Sequence, residues 1–216
     1  MLAACGVDVD RALPWVAPWF TRYQMADGGY NCDERAYLVV DECPSSMVGT
    51  IAPFEALIRR GPSAACDRAA AFLVERELRL GSPTHHNAEE RIAATHWTEP
   101  CFPRFYFYDV LRGAAALVRW ASVHGRTLPR RALAPVVEHL VAGFPDGVVR
   151  VGRVAFAGKL THAPDAEGRW SRRPATVPPL LAAVSPVGAA SPALTRQWAT
   201  TRRELIALID GGQITD

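Results

Sequence analysis

The segment from Gln24 to Cys43 reads QMADGGYNCDERAYLVVDEC, and it is the most distinctive stretch of the chain. It places two glycines, two cysteines and five acidic residues within twenty positions. Asp27-Gly28-Gly29 predicts a turn, because glycine adopts positive φ without strain. The turn follows residues 10–23, whose apolar positions recur at helical spacing. The run AYLVV after it is compatible with a strand or an extended loop.

Five further helices are predicted from apolar periodicity and from capping and stop signals. They cover residues 47–60, 63–80, 105–123, 129–143 and 191–209. Between them lie two irregular stretches, a long loop at 81–104 and a Pro-rich insertion at 147–189 before the C-terminal helix. We therefore predict an all-α protein, with residues 1–216 forming a single domain.

The composition narrows the class of protein. A hydrophobic fraction of 49% over 216 residues is enough for a sizeable core. The net charge of +2 provides no strong field for nucleic acid or an anionic membrane. No apolar run approaches the roughly 20 residues of a membrane span. Five widely spaced cysteines without a secretion signal predict reduced thiols and a cytoplasmic location.

The chain contains a weak internal repeat. WVAPWFTRYQMADGG at 15–29 and PVVEHLVAGFPDG at 135–147 share an apolar helix followed by an Asp-Gly turn. AAFLVERELRLGSP at 70–83 fits loosely between them. The spacing predicts units of about two helices each, which bury their apolar faces by stacking side by side.

These residues resemble a known family. Gln24-Met-Ala-Asp-Gly-Gly-Tyr30 is similar to the Gln-x-x-Asp-Gly-Gly-Trp repeat of the squalene-cyclase and protein-prenyltransferase superfamily. Residues 45–57, 72–83 and 102–113 resemble segments of its bacterial prenyltransferase-like members. The resemblance implies an α/α toroid, in which inner and outer helices alternate around a central, aromatic-lined cavity. The chain has room for about three helix pairs, so it implies a partial toroid.

The resemblance also raises the question of a metal. Asp41-Glu42-Cys43 has the Asp-x-Cys form that holds the catalytic zinc of protein prenyltransferases, and such a pair leaves zinc an open position. The third ligand would come from the residues that follow: His96, His86 or Asp109. Two other interpretations remain, namely a structural turn that caps the next helix and a metal-free reactive Cys32 or Cys43.

The predicted site combines this segment with an aromatic run at 102–108. The resemblance implies a hydrophobic, isoprenoid-like substrate, because aromatic faces stabilise cations. The candidate catalytic residues are Asp41, Cys43, Tyr108 and Asp109. The candidate substrate-binding residues are Tyr30, Trp97, Arg104 and Tyr106. The basic stretch RWSRR at 169–173 is either a solvated surface or a clamp for diphosphate or carboxylate.

Two functions from different classes follow. The first is a transferase or lyase of specialised metabolism, with or without zinc. The second is a non-catalytic binding or scaffold protein that keeps the repeat fold, because the cyclase acids and the zinc histidine of the family are absent. An arc of three pairs exposes apolar flanks, so we also predict a homodimer. The alternative is that the C-terminal helix covers one flank.

Overall fold

The computed structural model describes residues 5–154 and 160–216. The α-helices in these ranges are α1 (Val9–Ala12), α2 (Val16–Tyr23), α3 (Met47–Arg60), α4 (Ala64–Glu75), α5 (Glu90–Ala94), α6 (Val110–His124), α7 (Arg130–Gly143), α8 (Pro179–Val184) and α9 (Pro192–Asp210). The strands are β1 (Leu128–Pro129), β2 (Leu160–Pro164), β3 (Trp170–Pro174) and β4 (Ile214–Thr215). The prediction of a mainly α protein is confirmed. None of the helices in the described ranges has the length and apolarity needed to cross a membrane.

Helix α6 is the centre of the structure. Its sequence VLRGAAALVRWASVH is mostly apolar, and ten of its 15 residues are buried. It packs against α3, α4, α7 and α9. Its small residues allow close approach: a Cβ at Gly113 would lie 2.1 Å from the Tyr108 hydroxyl oxygen.

The large helices form two rows. In the first row α3 contacts α6, and α6 contacts α9. In the second row α4 contacts α7, and these two helices pack on α3 and α6. Helix α9 lies on α6 with its apolar side buried, including Trp198, Leu205 and Leu208, whereas Ile206 is exposed. The C-terminal helix is therefore the third member of the first row.

Each helix of the first row begins at a side-chain cap. Ser46 accepts a hydrogen bond from the Gly49 amide, Asp109 from the Arg112 amide, and Ser191 from the Leu194 amide. Such caps satisfy amides that have no partner inside the helix. These three caps fix where the row starts.

The two predicted Asp-Gly turns are equivalent in detail. Asp27 accepts a hydrogen bond from the amide two residues on at 3.1 Å, and Asp146 does so at 2.9 Å. Gly28 and Gly147 both have positive φ, 89° and 75°. One turn follows α2 and the other follows α7.

The equivalence continues into the helices of the first row. The Ser46 amide donates to Tyr30 O and the Ser191 amide to Val149 O, both at 2.9 Å. The Tyr30 amide in turn donates to Thr50 Oγ1 at 2.8 Å, and the Val149 amide to Thr195 Oγ1 at 3.0 Å. The first and last units therefore share one hydrogen-bonding plan, with a threonine four residues after the serine cap.

Several sequence-based assignments differ from the structure, and residues 10–23 are divided between α1 and α2. Helix α4 ends at Glu75 rather than at residue 80, because Glu77 and Leu78 have positive φ. Helix α6 begins at residue 110 rather than 105, because the aromatic run before Asp109 is not helical. The loop at 81–104 contains the short α5, and AYLVV overlaps a 3₁₀ helix, Glu34–Leu38.

The predicted irregular insertion at 147–189 contains a hairpin and a short helix. Strands β2 and β3 pair antiparallel, and α8 follows them. Residues 155–159 of this insertion lie outside the described residues. Separately, β1 pairs in parallel with β4, which ties the end of the chain to the segment that enters α7.

Because Thr50 and Thr195 make the same hydrogen bond, loss of either hydroxyl should lower the stability of the protein by a similar amount. Replacing Thr50 or Thr195 with valine keeps the shape of the side chain but leaves the Tyr30 or Val149 amide without its acceptor. Each change should lower the free energy of unfolding by about 1–3 kcal/mol. Chemical denaturation measures this, with the exposed Thr200→Val as control. Costs no larger than that of the control would contradict the plan.

Candidate functional site

The Asp41-Glu42-Cys43 segment lies at the surface. Asp41 is exposed, and Cys43 is half-buried with its Sγ 3.9 Å from Ser45 Oγ. Ser45 donates to the carboxylate of Asp27 at 2.6 Å, which joins this segment to the first Asp-Gly turn. The middle residue of the segment, Glu42, makes hydrogen bonds to the long loop at 81–104.

Glu42 holds the loop at 81–104 through its backbone. The amides of His85 and His86 donate to the two carboxylate oxygens of Glu42 at 2.8 and 2.7 Å. These hydrogen bonds lower the pKa of the Glu42 carboxyl. The imidazole of His86 lies 3.2 Å from Asp33. The two histidines are therefore used to attach the loop.

The residues suggested as zinc ligands do not form a ligand set in this structure. His96 is exposed, and its Nδ1 lies 3.3 Å from Glu99. In residues 5–154 and 160–216, no three His, Cys, Asp or Glu side chains are close enough together to hold a metal ion. Within the described residues, Asp41, Cys43 and His96 therefore belong to no such cluster.

Asp109 and Arg104, predicted as catalytic and substrate-binding residues, form a buried ion pair. Arg104 Nε and Nη2 donate to the two oxygens of Asp109 at 2.5 and 2.9 Å. The same carboxylate accepts hydrogen bonds from the amides of Cys101 and Arg112, at 2.9 and 2.8 Å. Both oxygens of Asp109 are therefore occupied by internal donors, which suits a positioning role better than an acid–base role.

Most of the predicted aromatic residues lie in the core. Tyr108 is fully buried, donates to Leu78 O at 2.7 Å and packs edge-on against the buried Trp97, with ring centroids 4.9 Å apart. Burial raises the pKa of the Tyr108 hydroxyl well above its usual value, so this group stays protonated. Tyr30 is buried against Trp19. Tyr106, in contrast, is exposed at the surface.

A groove of about 1080 Å³ runs along the first row of helices. Its walls include Ala52 and Ala56 of α3, Ala115 and Ala116 of α6, and residues of the N-terminal segment. Phe20 is the one aromatic side chain among the described residues that line it. The apolar part of the groove wall is therefore mostly aliphatic, whereas the resemblance implies an aromatic lining.

Polar groups are gathered along the groove. Arg112 and Glu55 form a bidentate pair, with N–O distances of 2.8 and 2.7 Å, and both line the groove. Gln197 of α9 also lines it and accepts a hydrogen bond from Arg104. The Arg104–Asp109 pair is therefore connected to the groove by hydrogen bonds to Gln197 and to the Arg112 amide. Arg104 and Asp109, both predicted as site residues, thus lie next to the groove.

Further cations belong to the same groove. Arg59, Arg60 and Arg119 line it, and guanidinium groups bind carboxylate and phosphate in bidentate fashion. Arg60 is paired with Asp10, and Arg119 with Glu204 at 2.8 Å. Arg59 is exposed and has no ion pair within the described part of the chain. The groove can therefore offer an apolar wall and an anion-binding edge to one molecule.

Glu90 is a buried acid that the sequence did not distinguish. It is 6% exposed, and its Oε1 accepts a hydrogen bond from the Met47 amide, at the start of α3, at 2.6 Å. Oε2 has no hydrogen-bond partner among the described residues. Burial raises the pKa of Glu90 to about 7, although the Met47 amide and Arg76 oppose that change. Its neighbour Glu89 is exposed, so the pattern AEER gave no basis for choosing between them.

The comparisons with known proteins give no family assignment. No protein-family model, curated protein sequence or solved structure matches this chain at a significant level.

The Asp109 carboxylate should be essential for stability. Asp109→Ala removes a helix cap and leaves the buried Arg104 without a counter-charge, so unfolding should cost about 3–5 kcal/mol less. Urea denaturation measures the loss. The exposed Asp146→Ala, which removes the same kind of turn contact at the surface, is the control. A loss below that of the control would show that Arg104 is solvated and not held as described.

Glu90 should make stability depend on pH. Its folded pKa of about 7 exceeds the usual 4.5, so its contribution is complete below pH 4.5 and is lost as the pH rises through 7. The loss is on the order of 3 kcal/mol. Glu90→Gln should flatten this slope and raise the unfolding free energy at pH 8, whereas Glu89→Gln should not. Parallel pH profiles for wild type and Glu90→Gln would contradict the assignment.

Proposed function

We propose that this protein is a partial α/α toroid that binds a hydrophobic, isoprenoid-like small molecule with an anionic end in the groove along α3, α6 and α9. The observation that carries the proposal is the groove itself, which is lined mainly by α3, α6 and the N-terminal segment, together with Gln197 of α9, and which combines alanines with arginines. The two rows of helices and the matching first and last units support a toroid-type arrangement.

The proposed recognition divides the ligand between two kinds of surface. Alanine side chains offer apolar contact without filling the groove, so an extended hydrocarbon chain fits along them. An anionic end would be bound at the rim by Arg59, the groove arginine without an ion pair among the described residues, next to Arg119, which is 56% exposed but paired with Glu204. The buried Arg112 is already paired with Glu55, and it shapes the groove more than it binds the anion.

The leading activity within this proposal is transferase or lyase chemistry on such a molecule. The family resemblance supports this class. The second candidate is binding without turnover, and a specific observation favours it, since all donors around Asp109 are internal and Tyr108 is buried away from solvent. Release of diphosphate from a prenyl diphosphate separates the two activities. Zinc content of the purified wild type and of Cys43→Ser tests the metal-assisted version.

Ligand binding is tested by thermal unfolding with farnesyl diphosphate, farnesol and inorganic pyrophosphate. We expect farnesyl diphosphate to raise Tm more than either part alone, because only it uses both surfaces; saturation to a hundred times Kd corresponds to about 2.7 kcal/mol. Ala52→Trp should fill the groove and abolish the shift. Ala142→Trp, on the exposed face of α7, is the matched control. Equal shifts in both variants would place binding elsewhere and overturn the proposal.

A further inference from the structure

The β2–β3 hairpin presents one unpartnered face. Its residues are exposed except Ala163, which is half-buried. Because directly opposed residues of an antiparallel pair lie on the same face, the register places Leu160 beside Pro174, His162 beside Arg172, and Pro164 beside Trp170 on one side. Trp170 is 73% exposed. This side is therefore apolar and cationic at once.

The positive charges of the strands are not neutralised within the hairpin. The acids of its turn, Asp165 and Glu167, both pair with Arg169. Arg172 has no ion pair in residues 5–154 and 160–216, whereas Arg173 lies on the other side of the hairpin and donates to Ser171 Oγ. The exposed Trp170 and the free guanidinium group of Arg172 therefore form a surface that suits an acidic, apolar partner.

The chain carries a surface of the opposite character. Residues 33–42, here called the acidic segment, contain four acids and one arginine. Leu38 is 77% exposed and Val40 is 92% exposed. Glu34 and Asp41, on either side of them, have no ion pair within the described residues. The acidic segment therefore combines two exposed aliphatic side chains with two free acids.

The two surfaces complement each other in charge and in apolar character. Contact between them would cover Trp170 with Leu38 and Val40 and would bring Arg172 to the acids. A membrane or a nucleic acid would account for the hairpin but would repel the acidic segment. The low net charge of +2 means that two copies do not repel strongly.

We propose that the hairpin of one copy, residues 160–174, docks on the acidic segment, residues 33–42, of a second copy. This contact is independent of the groove. Its centre would be Trp170 against Leu38 and Val40, and the charged pairs would form its rim. Rim charges set partner choice and association rate, so the association should weaken at high salt.

The test uses two charge-reversed variants of the whole chain. One is Arg172→Glu, and the other is Glu34→Arg/Asp41→Arg. We expect wild type to self-associate in sedimentation velocity, and each variant alone to show a Kd at least about tenfold weaker. A mixture of the two variants should associate again as a 1:1 complex, because each supplies the surface that the other lacks.

Controls separate this contact from the alternatives. Arg203→Glu and Asp210→Arg reverse exposed charges on α9 and should leave the wild-type Kd unchanged. Trp170→Ser should weaken association without lowering Tm, since the side chain is exposed. Wild type that stays monomeric over the whole concentration range would overturn the proposal. Variants that fail to associate when mixed would overturn it too. Binding of a monomeric wild type to phosphatidylserine vesicles, lost in Arg172→Glu, would assign the hairpin to membranes instead.

Discussion

The structure depends on the way the Asp109 carboxylate is held. It lies at the start of α6, the helix that contacts both neighbours in its row, and it accepts four hydrogen bonds from the amides of Cys101 and Arg112 and from Arg104. A buried carboxylate with this many donors is fixed in one position. The carboxylate therefore joins the end of the long loop to the first turn of α6. Arg104, which it binds, also donates to the groove residue Gln197.

The sequence predicted the parts of the fold that are determined locally. The helices at 47–60, 129–143 and 191–209 were located to within a residue or so, because their caps and stop signals lie next to apolar positions at helical spacing. Both Asp-Gly turns were predicted for the same reason. The ends of α4 and the start of α6 were misplaced, since helix-forming residues there adopt other conformations when Leu78 and Tyr108 are drawn into the core.

The candidate site was harder to predict, because burial and pairing depend on the tertiary structure. Arg104 and Asp109 were singled out, but nothing in the sequence indicates that they bind each other. The groove wall could not be predicted for a different reason. Alanine is common in helices, and these alanines form a wall only because α3 and α6 pack side by side. Glu90 illustrates the same limit, since one of two adjacent glutamates is buried and the other is in solvent.

The row of α3, α6 and α9 has a consequence for the size of what the groove can hold. Packed helices lie about 8–10 Å apart, so three in a row span about 16–20 Å between the outer axes. The hydrogen bonds that define the first and last units, from Tyr30 to Thr50 and from Val149 to Thr195, lie within each unit. Each outer helix is therefore tied to its own turn by bonds that do not involve α6. A molecule lying across the whole row would be about as long as that span.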